Sequence, residues 1–144
     1  MTIVLIDDQL LGQVLRGRKP RSLAGKDLYT TGHWYLRLCQ AALRADGRTG
    51  VLSGPFAALT PRLRAQAMGS LLELPPEIGV LSLRELGPTI ADLRGRHQLN
   101  VLAIEALASA SRLDARVFIS APSPLLERAL IAEGLTVRVV KSTG

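Results

Sequence analysis

Thr2-Ile3-Val4-Leu5-Ile6-Asp7-Asp8-Gln9-Leu10-Leu11-Gly12-Gln13-Val14-Leu15 decides the fold class. Thr2 to Ile6 is a short, continuous run rich in β-branched residues, with no polar residue at alternate positions from Ile3 onward. It reads as a strand covered on both faces, as in a parallel sheet. Asp7 closes the strand and Asp8 is placed to cap the next segment, where Leu10, Leu11, Val14 and Leu15 recur at helical spacing.

The same alternation continues outward from this unit. Ile78 to Leu83, Arg116 to Ser120 and Thr136 to Val140 read as further strands, and Leu28 to Thr31 as a weaker one. Between them lie helical segments. His33 to Ala45 ends at Asp46-Gly47-Arg48-Thr49-Gly50, and a second helix begins at Thr60-Pro61 and stops at Pro75-Pro76. A third opens at Pro88. Asn100 caps the run Val101 to Leu113, which is apolar around most of its circumference and reads as a central helix buried on more than one side. The last begins at Ser123-Pro124 and ends at Gly134. Val51 to Leu59 carries no clear period. Strands separated by helices predict an α/β fold, a parallel β-sheet with helices on both faces, as one domain over residues 1–144.

Composition narrows the function classes. Cys39 is the single cysteine, so a disulfide framework is excluded. The longest strongly apolar segment, Val101 to Ala110, is interrupted by Glu105 and falls short of the roughly 20 residues that span a bilayer. The N-terminus lacks the basic start of a secretory signal, so the expected location is cytoplasmic, away from membranes. Lys and Arg number 18 against 12 Asp and Glu, a net charge of +6. Arg16, Arg18, Lys19, Arg21 and Lys26 fall in one loop without an acid, a concentration suited to RNA phosphates or to an acidic protein partner.

Glycine-rich phosphate loops, paired cysteines and histidine pairs at metal-ligand spacing are missing. In an open parallel sheet, ligands bind beyond the carboxyl ends of the strands. That rule nominates Asp7, Asp8, Thr30, Thr31, Arg84, Glu85 and Ser120 to Ser123, and among them a cleft of Asp7, Asp8, Thr31, Ser120 and Ser123. Asp7 ends a buried strand, where a carboxylate either holds Mg²⁺ or caps the next helix. Ser120 and Ser123 precede a helix N-terminus, a place for a phosphate or for a cap. His33 and His97 read as isolated, Cys39 as core, and Trp34 and Tyr35 as packing rather than base-stacking groups. Glu105 shares a helix face with Ser109 and Arg112 and reads as a solvated polar stripe.

In two places the chain resembles the PIN domains, Mg²⁺-dependent ribonucleases found as toxins of bacterial toxin-antitoxin pairs and in RNA processing. Val4-Leu5-Ile6-Asp7-Asp8-Gln9-Leu10-Leu11 is similar to the family's opening strand with its characteristic Asp. Arg96-His97-Gln98-Leu99-Asn100-Val101-Leu102-Ala103-Ile104 through Leu113-Asp114-Ala115-Arg116-Val117-Phe118-Ile119-Ser120-Ala121 is similar to its C-terminal helix-strand unit. The resemblance implies Asp7 as a metal ligand, Mg²⁺ as the cofactor and a homodimer. It also implies an Asp at the position of Ala103, an acid at that of Ala121 and a Glu near Trp34 to Leu36, none of which this sequence has. Glu105 does not replace the first, because two helical residues are about 200° apart. The expectation is therefore a catalytically degenerate PIN-like protein acting by RNA or protein binding, without a cofactor. Two alternatives stand beside it: a weak Mg²⁺-dependent ribonuclease centred on Asp7, and a small-molecule-binding module using the same cleft.

Overall fold

A computed structural model describes residues 2–43 and 50–141. The elements in chain order are β1 (Ile3–Ile6), α1 (Asp8–Leu15), a 3₁₀ turn (Arg21–Leu23), β2 (Asp27–Thr30), α2 (Gly32–Ala42), α3 (Gly54–Ala57), α4 (Pro61–Leu72) and β3 (Ile78–Val80). They are followed by α5 (Leu83–Arg94), α6 (Val101–Leu113), β4 (Arg116–Ile119), α7 (Pro124–Ala132) and β5 (Val137–Val139). The strands form one sheet of order β3-β2-β1-β4-β5, and every pairing is parallel. The expected α/β class, with helices on both faces of a parallel sheet, is the observed one.

Side chains alternate across a strand, so a strand covered on both sides must be apolar at every position. β1 shows this directly. Leu5 packs with Leu86, Leu93, Ile104, Leu107, Val117 and Leu130 on the face covered by α5, α6 and α7. Val4 and Ile6 pack with Leu10, Leu11, Leu38, Phe56 and Leu71 on the face covered by α1 to α4. β1 is thereby the central strand. The chain builds outward from it through β2 to β3 and then returns to place β4 on its other side, so strand order reverses between β1 and β4. The carboxyl ends of these two strands frame the crevice where ligands of such sheets bind.

Several element boundaries differ from the sequence expectation for identifiable reasons. The helix expected from Pro88 begins five residues earlier, at Leu83, because Ser82 and Glu85 form a reciprocal capping box (Glu85 N to Ser82 Oγ 3.3 Å, Ser82 N to Glu85 Oε2 3.1 Å). Pro88 lies inside α5, and β3 accordingly stops at Val80. Asp7, not Asp8, is the N-cap of α1, its Oδ1 accepting from Leu10 N at 3.0 Å. The unassigned stretch after Val51 holds the short helix α3. Ala45 and the turn Asp46 to Thr49 lie outside the described residues. Asn100 caps α6 as expected, and Gly134 takes the left-handed conformation (φ 76°) that glycine allows after a helix. Among the described residues, no helix is long and apolar enough to cross a membrane.

Candidate functional site

A cleft of about 370 Å³ opens at the carboxyl ends of β1 and β4, between the first turns of α1, α2, α6 and α7. Asp7, Asp8, Trp34, Arg37, Asn100 and Ser120 are among its lining residues, with Ala103, Ala121 and Ser123. Of the residues nominated from sequence, the structure brings together Asp7, Asp8, Ser120 and Ser123. Thr31 does not line it. Its hydroxyl caps α2 by accepting from Trp34 N at 3.0 Å, and Thr30 donates to the Ile6 carbonyl at 2.8 Å, so both threonines are spent on joining β2 to its surroundings.

Asp7 is almost wholly buried, and both its oxygens are used. Oδ1 caps α1, while Oδ2 accepts from Ser120 N at 2.7 Å and from Ser120 Oγ at 2.6 Å. The carboxylate therefore ties the end of β1 to the end of β4 across the reversal of strand order. Ser120 serves as its partner. Ser123 donates its backbone N–H to Glu127 Oε2 at 2.7 Å, and its hydroxyl makes no cap bond to α7.

Asp8 has the opposite fate. Oδ1 accepts from Gln9 N at 2.9 Å, but Oδ2 is buried without a hydrogen bond. Arg37 Nη1 stands 3.4 Å from Oδ2, close enough for ion pairing but outside hydrogen-bond alignment. Burial, and secondarily the Asp7 charge, push the Asp8 carboxyl above its ordinary value, with Arg37 opposing.

This donor set offers a divalent ion few protein carboxylates. Asp7 accepts three hydrogen bonds, Asp8 faces a guanidinium, and Ala103 and Ala121 supply no side-chain oxygen. Among the described residues, no group of three His, Cys, Asp or Glu side chains comes together.

The solvated-stripe expectation for Glu105 is overturned. Its side chain is 2% exposed, and Oε1 accepts from His33 N at 2.8 Å and faces His33 Nδ1 at 2.9 Å. α6 packs against α2 here, so the carboxylate meets the N-terminal turn of α2, where a negative charge is favoured. Ser109 on the same face is buried as well, and Arg112 alone of the three reaches solvent. His33 is thus not isolated, and neither is His97, whose Nε2 lies 2.7 Å from Glu133 Oε2. Trp34 is 4% exposed and Tyr35 donates its hydroxyl to the Leu71 carbonyl, so both pack as expected. Glu85 belongs to the capping box.

The basic loop lies at the other end of the strands. It links the end of α1 to the start of β2, where Asp27 N donates to the Thr2 carbonyl just ahead of β1. Lys19 and Lys26 line a separate groove of about 310 Å³ with Val14, Leu15, Leu28 and Ile78, and this groove shares no residue with the cleft. Arg16 leaves the group. Its guanidinium lies over the Phe56 ring, 5.5 Å from the centroid, in space that Gly12 leaves open. Arg37 was not legible as a site residue, because its partner Asp8 lies 29 positions away with no local signal joining them.

Comparison of the chain with protein-family models and with curated proteins found no match.

Proposed function

We propose that this chain is a non-catalytic, PIN-like module that binds the phosphates of single-stranded RNA in the cleft between β1 and β4. One observation carries the reading: both oxygens of Asp7 are spent on Leu10 and Ser120, in a cleft where Ala103 and Ala121 add no carboxylate and Arg37 stands against Asp8. Much of the remaining polar lining donates hydrogen bonds or carries positive charge: Arg37, the Asn100 amide, and the first-turn N–H groups of α6 and α7. Phosphate contacts position a strand without reading its sequence, and the buried Trp34 gives no stacking surface, so base preference is slight. Arg18, Lys19, Arg21 and Lys26, at the far end, add a second phosphate contact and long-range attraction. A cytoplasmic location belongs to the same reading.

Filter binding of a short labelled oligouridine at several salt concentrations tests it. Arg37→Gln lowers affinity at every salt concentration. Replacing Arg18, Lys19 and Arg21 together by Ala flattens the log-log salt slope by about two units, about 0.7 for each single-strand phosphate that is no longer neutralised. Absence of binding by the wild type at low salt would sink the RNA reading and turn the loop toward an acidic protein partner. Calorimetric titration with Mn²⁺ checks the other side: micromolar affinity at one site, abolished by Asp7→Asn, would restore a metal-dependent ribonuclease.

A further inference from the structure

One guanidinium stands against Asp8, and a second lines the crevice beside it. Arg37, in α2, brings Nη1 to 3.4 Å from Oδ2 while its own side chain stays 54% exposed. Arg16, two turns along α1, lies back over Phe56 toward the start of the helix, with Gly12 making room for it. A narrow crevice of about 10 Å³ adjoins the cleft, shares Asp8, Gln9, Val51 and Leu52 with it, and reaches Arg16. Two buried side-chain atoms without a hydrogen bond belong to residues lining this crevice: Asp8 Oδ2, an acceptor, and Arg16 Nη2, a donor. Buried polar atoms are paired in the great majority of cases, so two orphans of opposite charge at one crevice call for an explanation.

We propose that Arg37 and Arg16 form a seat for one phosphate group and that Asp8 is a built-in anion holding the Arg37 side of this seat until a ligand arrives. The inference rests on the reading of the cleft as an RNA-phosphate site. Guanidinium groups match phosphate oxygens with two parallel hydrogen bonds, a fit that a single misaligned contact to Asp8 does not achieve. The crevice has room for about one water-sized atom, so the phosphate rests in the cleft against Arg37 and sends one oxygen toward Arg16. Asp8 is fixed by its backbone in the first turn of α1, so it acts on the arriving phosphate through its hold on Arg37. Affinity is then set by competition between Asp8 and the phosphate for Arg37.

The test is a double-mutant cycle read by oligouridine binding. Asp8→Asn binds about tenfold tighter than wild type and Arg37→Gln about tenfold weaker. The double variant binds as Arg37→Gln does, because Asp8 acts through the arginine. Arg16→Gln weakens binding of both wild type and Asp8→Asn. Unchanged or weaker binding by Asp8→Asn, or simple additivity in the double variant, overturns the competition while leaving RNA binding in place. A second arm separates the seat from RNA: inorganic phosphate, compared with chloride at equal ionic strength, raises the thermal midpoint of Asp8→Asn more than that of wild type. That result without RNA binding keeps the seat and removes the RNA reading. Neither RNA binding nor a phosphate effect overturns both.

Discussion

Asp7 and Asp8 are adjacent acids with different physical fates, set by which way each side chain points from the strand-to-helix turn. Asp7 accepts three hydrogen bonds that hold α1 and β4 in place, whereas Asp8 is buried with one oxygen left over. The raised Asp8 carboxyl has a consequence for stability. A carboxyl whose folded value lies above its unfolded value of 3.8 keeps its proton more readily in the folded state, so stability falls as pH rises from there through the folded value. Charged Asp8 therefore destabilises the fold at neutral pH. Asp8→Asn is expected to melt higher than wild type at pH 7, and the gap should close below about pH 3.8, as thermal melts across a pH series will show. Asp7 could be singled out from sequence because a strand-end acid is a local pattern. Arg37 could not, since nothing in α2 marks one exposed cation as facing an acid in another helix.

Among the elements, α6 was legible to the residue, and α5 was not. Asn100, followed by thirteen residues of mostly apolar helix former, fixes α6 at both ends, and its cap is observed as Asn100 Oδ1 accepting from Ala103 N at 2.8 Å. In α5, proline's preference for a first turn competed with the Ser82–Glu85 capping box, and the box won because it satisfies two backbone donors at once. Pro88 therefore sits in the interior of the helix and exposed, where it supplies no N–H to the Arg84 carbonyl. Pro88→Ala is expected to stabilise the protein by about 1–3 kcal/mol, read as a higher urea midpoint with an unchanged slope. A lower midpoint would mean that the proline ring makes packing contacts outweighing the missing bond.

At the scale of the molecule, the cleft and the basic loop occupy opposite ends of the strands. The first turns of α1, α2, α6 and α7 gather at the cleft, bringing the partial positive ends of four helices to one place. Another tie joins distant parts: Arg96 Nε and Nη2 and His97 Nε2, in the connection between α5 and α6, all contact the Glu133 carboxylate just after α7. Hydrogen bonds from Arg96, then from His97, hold Glu133 down to about 2. Because its folded value is depressed, the stability it contributes is present above the unfolded value of 4.5 and is lost as pH falls toward about 2. Glu133→Gln should consequently melt below wild type at pH 6 and level with it at pH 2. The difference should be small, since the group is close to solvent. Equal midpoints at both pH values would show that the cluster contributes nothing to the fold.

The sequence by itself determined the class and most of the elements: apolar-rich strands, helices with caps at Thr60 and Asn100, and the parallel α/β arrangement that these imply. Those are local properties, carried by period and by residues within a turn of one another. Tertiary structure decided the rest. The bond from Ser120 to Asp7 spans 113 positions and that from His33 to Glu105 spans 72, and both depend on which strands and helices become neighbours. Strands buried on both faces read alike, so their hydrophobic pattern does not encode their order in the sheet. That order places Asp7 beside Ser120, turns Glu105 away from solvent, and separates the basic loop from the cleft.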